Sequence, residues 1–80
     1  MVKTFGQRVK ELRQEKAWTQ ERLTAKTGIS VMTIARIENG AGWNSNTVIQ
    51  LAKAFDVSLS VLFEGVGSEN TVSYPRSRGG

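Results

Sequence analysis

Apolar side chains recur at helical spacing through most of the chain. Phe5, Val9 and Leu12 fall at i, i+4 and i+7 and predict a helix from about Thr4 to Lys16. Thr19 has the side chain of an N-cap for a second helix, Gln20 to Lys26, and Gly28 suits its exit. Trp18 and Leu23 flank that cap at the spacing of a hydrophobic staple. Ser30 opens a third predicted helix, Val31 to Asn39, which Gly40 ends, and Ala41 to Asn46 reads as a loop. A fourth helix carries Val48, Leu51, Ala52 and Phe55 on one face, and Ser58 opens a short fifth from Leu59 to Glu64. The expected fold is all-α, a compact bundle of five short helices without a strand in residues 4–64. From Gly65 little remains to bury, so residues 65–80 read as a mobile tail. Val72 and Tyr74 alternate with polar neighbours and offer the other reading, a short strand between protomers.

Length and composition narrow the function. Eighty residues make one small domain, 1–64, plus the tail, with no second lobe to close over a substrate. Histidine and cysteine are both absent, which removes the usual neutral-pH acid–base group, disulfides and the common soft metal ligands. No Gly-rich phosphate loop is present, so the chain reads as neither an enzyme nor a metal or cofactor protein. No apolar run approaches the roughly 20 residues of a membrane span, and Met1-Val2-Lys3-Thr4 does not resemble a signal peptide.

Net charge is +4, and its placement matters more than its size. Residues 1–36 carry +5, residues 37–64 carry −2 and the last sixteen +1. The basic front favours a polyanionic partner. Within it, Lys3, Arg8, Lys10 and Lys16 read as solvated charges that add general attraction.

The stretch Thr19 to Gly40 describes two short helices joined through Gly28, a position that suits positive φ, with Leu23, Ile29, Ile34 and Ile37 turning to one core. This is the layout of a helix-turn-helix, whose second helix enters the DNA major groove. Over about residues 4–64 the chain resembles the phage-repressor/Cro-like regulators, the XRE family. The resemblance rests on Thr19-Gln20-Glu21-Arg22-Leu23, Gly28-Ile29-Ser30, Ile34-Ala35-Arg36-Ile37-Glu38-Asn39-Gly40 and Leu51-Ala52-Lys53-Ala54-Phe55-Asp56-Val57-Ser58. It implies the lambda-repressor-like form of the five-helix bundle. The chain departs from the pattern at Thr24, where the family usually has alanine, and at Thr27, where it favours a large apolar residue. Each threonine is expected to loosen packing by about 1 kcal/mol. The loop before helix four, often basic in the family, here offers Trp43, Asn44 and Ser45, with neutral hydrogen bonds in place of charge.

With Ile34 and Ile37 turned inward, Val31, Met32, Thr33 and Arg36 face outward, at positions through which the family reads bases. Arg36 suits guanine O6 and N7, whereas Val31 and Met32 suit thymine methyls. The resemblance implies that Gln20 and Asn39 bond phosphates and that Arg13 pairs with Glu38, holding its guanidinium near the DNA backbone. Trp43 and Asn44 are the loop's own candidates for backbone contact. One such domain presents a single short helix, so a homodimer on a palindromic operator is expected, with Leu59, Leu62 and Phe63 as interface candidates. Leu62 and Phe63 have a second reading, closing the protomer's own core. The function expected is a sequence-specific transcriptional regulator, a repressor, acting on double-stranded DNA in a bacterial or phage cytoplasm, at the nucleoid. The alternative is a protein-interaction module, such as an antitoxin that binds a toxin.

Overall fold

The computed structural model describes residues 3–41 and 43–67. They form five helices: α1 Phe5–Glu15, α2 Gln20–Thr27, α3 Val31–Glu38, α4 Ser45–Phe55 and α5 Leu59–Leu62. Every helix begins at a side chain that accepts from its own first turn, in turn Thr4, Thr19, Ser30, Asn44 and Ser58. Such caps satisfy amide groups that have no partner inside the helix. At Thr4 the cap is reciprocal, because Gln7 Oε1 accepts from the Thr4 N–H at 2.9 Å. Asn44 and Thr47 make the same exchange, so α4 starts at Ser45, inside the stretch expected to be loop.

The helices end by left-handed turns. Gly40 at φ 102° and Gly28 at φ 80° use the freedom of glycine, but Ala17 and Asp56 adopt φ 58° without it. At Ala17 the amide of Trp18 reaches back to the Arg13 carbonyl and that of Ala17 to Gln14, the double closure of a Schellman motif.

Phe5, Val9 and Leu12 of α1, Leu23 of α2, Ile34 and Ile37 of α3, and Val48, Leu51 and Phe55 of α4 meet in one core. Leu62 closes it from α5 and is completely buried. Trp18 stacks on Phe55 with ring centroids 5.8 Å apart, fixing the entry to α2 against α4. Phe5 stacks on Phe63 at 4.9 Å and meets Trp43 at 4.8 Å.

Two departures from the sequence reading concern charge and the chain ends. Arg8, expected in solvent, is 7% exposed. Its Nη2 donates to the Val61 carbonyl at 2.7 Å, and its Nε lies 3.3 Å from the carbonyls of both Val61 and Leu62. The Val61 carbonyl also accepts from the Glu64 amide at 3.2 Å, so the guanidinium adds donors at the end of a four-residue helix, where a cation also complements the helix dipole. Nη1 of Arg8 and Nζ of Lys3 both reach Glu11, at 2.6 and 2.7 Å. Their hydrogen bonds, that of Lys3 first, hold the Glu11 carboxyl below its ordinary pKa. Packed chain continues past Glu64: Lys3 and Val66 form an isolated parallel bridge, with the Lys3 amide on the Gly65 carbonyl and the Gly67 amide on that of Lys3. The alternation at Val72 and Tyr74 lies outside the described residues.

The two threonines differ in their effect. Thr27 Oγ1 donates to the Leu23 carbonyl at 2.8 Å and accepts from the Ile29 amide at 3.0 Å, so it ties the turn together instead of loosening it. Thr24 Oγ1 is buried without a partner among the described residues. A buried hydroxyl in that state costs about 1–3 kcal/mol. Thr24→Val keeps the branched shape and removes the hydroxyl. It is expected to raise stability by about 1 kcal/mol, seen as a thermal midpoint about 4–8 °C higher by circular dichroism; an unchanged or lower midpoint would show that the hydroxyl has a partner.

Candidate nucleic-acid interface

Helix α3 is positioned by what it buries. Ile34 and Ile37 are fully enclosed, which turns Val31, Met32, Arg36 and Asn39 outward and leaves Thr33 half-buried. Ser30 fixes the start of the helix: its Oγ accepts from the Thr33 amide at 3.2 Å and donates to Thr33 Oγ1 at 2.9 Å. The turn from α2 is closed by the Gly28 amide on the Thr24 carbonyl at 2.7 Å.

The far end of α3 is held by its last residue. Glu38 has a side chain only 5% exposed. Arg13 Nε donates to Glu38 Oε2 at 2.7 Å and Arg13 Nη2 to Oε1 at 3.0 Å, a two-pronged pair. Gln20 Nε2 donates to Oε1 at 3.1 Å, and Arg13 Nη1 donates to the Trp18 carbonyl at 2.8 Å. One carboxylate therefore joins α1, the start of α2 and the end of α3. Its hydrogen bond holds the Arg13 guanidinium above its ordinary pKa, against the opposing effect of burial.

Close to that carboxylate, α1 passes α3 at backbone distance. A Cβ at Gly6 would lie 2.9 Å from the Glu38 carbonyl oxygen and closer still to that of Ile37. Gly6 is thus a positioning residue that the sequence reading missed. Its only signal is a glycine inside a predicted helix, where glycine costs about 1 kcal/mol relative to alanine.

The expected contact residues fall into groups. Val31, Met32 and Arg36 share the exposed face of α3, and Arg36 makes no ion pair among the described residues. Arg13 is brought to Glu38, but its three bonded nitrogens turn it towards the fold and leave it little reach to a phosphate. Gln20 is half-buried and gives one Nε2 hydrogen to Glu38, with the second hydrogen on that nitrogen as its remaining donor. Asn39 is exposed and ends α3, its own amide bonded back to the Ala35 and Arg36 carbonyls. Asn44 uses Oδ1 as the cap of α4, so only its amide nitrogen is left to give. Trp43 lies with its indole against Phe5 and Phe63 and is half exposed. Lys16 and Lys26, which the sequence does not bring together, both place Nζ 5.4 Å from the ring centre of Trp18, beside the start of α2.

Of the three interface candidates, Leu59 is exposed and Phe63 half-buried on Phe5. Leu62 has no surface to offer a partner, because α5 turns it into the core. Among the described residues no helix is long and apolar enough to cross a membrane, and no acidic cluster could hold a metal.

This arrangement is a helix-turn-helix with its second helix exposed along one side. Residues 9–62 match the family model described as "Helix-turn-helix", and the chain belongs to that family, as an XRE-type DNA-binding transcriptional regulator. The restriction-modification controller protein C.AhdI from Aeromonas hydrophila is similar in structure, with a TM-score of 0.70 and 33% identity over 74% of this chain and 91% of that one. The P22 c2 repressor, solved in complex with a synthetic operator, has a TM-score of 0.70 and 25% identity over 79% of this chain and 97% of that one. No curated protein sequence matches the chain.

Removing one partner of a buried, hydrogen-bonded pair leaves the other charge uncompensated, at a cost of about 3–5 kcal/mol. Glu38→Ala is accordingly expected to lower unfolding free energy by about 3 kcal/mol in urea titration. A loss below about 1 kcal/mol, the range of a surface pair, would mean that the junction does not hold the helices.

Proposed function

We propose that this protein is an operator-binding repressor that acts as a homodimer, placing α3 of each protomer in the major groove of one half-site. The observation that carries the reading is the exposed Arg36, without an ion pair among the described residues, beside Val31, Met32 and Thr33 on a helix whose other face is locked into the core. Arg36 reads a guanine through O6 and N7, and the neighbouring side chains meet base edges and methyl groups. Around them, Asn39, the Asn44 amide nitrogen, the Gln20 amide and the two lysines at Trp18 meet the phosphates, and a water can bridge where a side chain is turned inward. The P22 c2 repressor bound to its synthetic operator supports double-stranded DNA as the partner.

One face of the eight-residue α3 reads few base pairs, which favours two half-sites about one helical turn apart. Leu59 and Val61 of α5, with Ile49 of α4, are large apolar side chains left at the surface. Ile49 and Leu59 also border a shallow cavity of about 510 Å³ between the two helices. A second copy of the chain fits this surface, with Leu59 as the anchor and Val61 and Ile49 beside it.

Two measurements test the proposal. Arg36→Ala should weaken binding to a selected operator by about 5- to 150-fold, the equivalent of about 1–3 kcal/mol, and relax the preference at one base pair per half-site. A module that works only through protein contacts would show no change. Leu59→Glu should move the protein towards monomer in sedimentation equilibrium and weaken operator binding, while its circular dichroism stays that of the parent. A dimer unaffected by the charge places the interface elsewhere.

A further inference from the structure

We propose that the exposed face of α3 reads pyrimidine C5-methyl groups, so that the protein binds sites carrying thymine or 5-methylcytosine and responds to cytosine methylation there. The inference rests on the DNA-binding role of α3 argued above and names the kind of base that it selects.

The observation is chemical. Met32 is 71% exposed and Val31 39%, both at the start of α3, while Ile34 and Ile37 supply all that the helix gives to the core. Neither exposed side chain has a hydrogen-bond donor, and the methionine sulfur is only a weak acceptor. Thr33 is half-buried, and its Oγ1 already accepts from Ser30 Oγ, which leaves it one neutral donor. Arg36 is thus the strong hydrogen-bonding side chain among the four facing outward.

What an apolar side chain can gain in the major groove is contact with a methyl group, and among the four natural bases only thymine carries one. The same C5 position bears the methyl of 5-methylcytosine. Thymine and cytosine differ otherwise at C4, where one presents a carbonyl oxygen and the other an amino group. Val31 and Met32 cannot exploit that difference, so for them the methyl decides. Unmodified cytosine is the pyrimidine they reject.

Spacing places the methyl relative to the guanine. Met32 and Arg36 are four residues apart on α3, so their Cβ atoms lie about 5–6 Å apart on one face. Successive bases on a strand rise about 3.4 Å. The methylated pyrimidine therefore sits one or two base pairs from the guanine that Arg36 contacts.

The test begins with a site selected from random duplex DNA by the full chain. Fluorescence anisotropy at fixed salt then compares duplexes in which each contacted T·A pair is replaced by U·A, by 5-methylcytosine·G or by C·G. Loss of one buried methyl corresponds to about fourfold in affinity, or about 15-fold when both half-sites lose one. Uracil and cytosine are expected to weaken binding by at least that much, and 5-methylcytosine to restore most of what cytosine loses. A Val31→Ala, Met32→Ala double variant, altered only at exposed positions, should bind the four duplexes within about twofold of one another.

If the selected site is bound but uracil matches thymine, or 5-methylcytosine is no better than cytosine, methyl reading is wrong and operator binding stands. Methyl dependence that persists in the double variant overturns its assignment to Val31 and Met32. If no site is selected, both proposals fall.

Discussion

The structure turns on one carboxylate. Glu38 is nearly removed from solvent, and a carboxylate in that position is costly unless its oxygens are occupied. Arg13 and Gln20 occupy them, and Arg13 in turn holds the Trp18 carbonyl. A buried pair of this kind is weak ground for claiming extra stability, because well-packed apolar residues often do as well. Its value here is geometric. Hydrocarbon packing would let α3 rotate or slide by small amounts with little change in buried area. A forked ion pair with a third donor has one good arrangement, and α3 leaves that point with its outer face fixed.

The constraint extends to the backbone. Gly6 lets α1 approach the end of α3 so closely that the Ile37 and Glu38 carbonyls leave no room for a side chain. Ser30 fixes the other end through Thr33, and the Gly28 turn fixes the angle to α2. The exposed residues of α3 can therefore be chemically specialised, since none is needed to hold the helix. Apolar Val31 and Met32 stand in water at some cost in solubility, which a structural helix would avoid by placing polar residues there.

Much of this was legible in the chain. Thr19, Ser30 and Ser58 announce helix starts because a short hydroxyl side chain has a local task that spacing reveals. Phe5, Val9, Leu12, Ile34, Ile37, Leu51 and Phe55 announce the core through their period, and the Arg13–Glu38 pairing came with the family resemblance. Three features were not legible, each because a tertiary contact decides it. Arg8 has the spacing of a surface charge, and only the carbonyl end of α5 draws it inward. Gly6 carries no local turn signal, since its role is to admit another helix. Asn44 looked like loop because asparagine, serine and asparagine in succession favour turns, yet its exchange with Thr47 starts a helix there.

The contact between Arg8 and Val61 spans 53 residues of chain. Short, local elements such as the α2–α3 turn can form early, whereas this contact waits until nearly the whole domain has been gathered. A helix of four residues has no stability of its own, so α5 inherits its order from Arg8 and from Leu62 in the core. The bridge between Lys3 and Val66 is of the same late, long-range kind. The α5 end of the molecule is consequently the last part to assemble and the first to open, and the amides of α5 should exchange with solvent through partial openings that leave the α2–α3 pair intact. A partner that settles on Leu59 and Val61 would close those openings, so that subunit association slows exchange in the least cooperative corner of the fold.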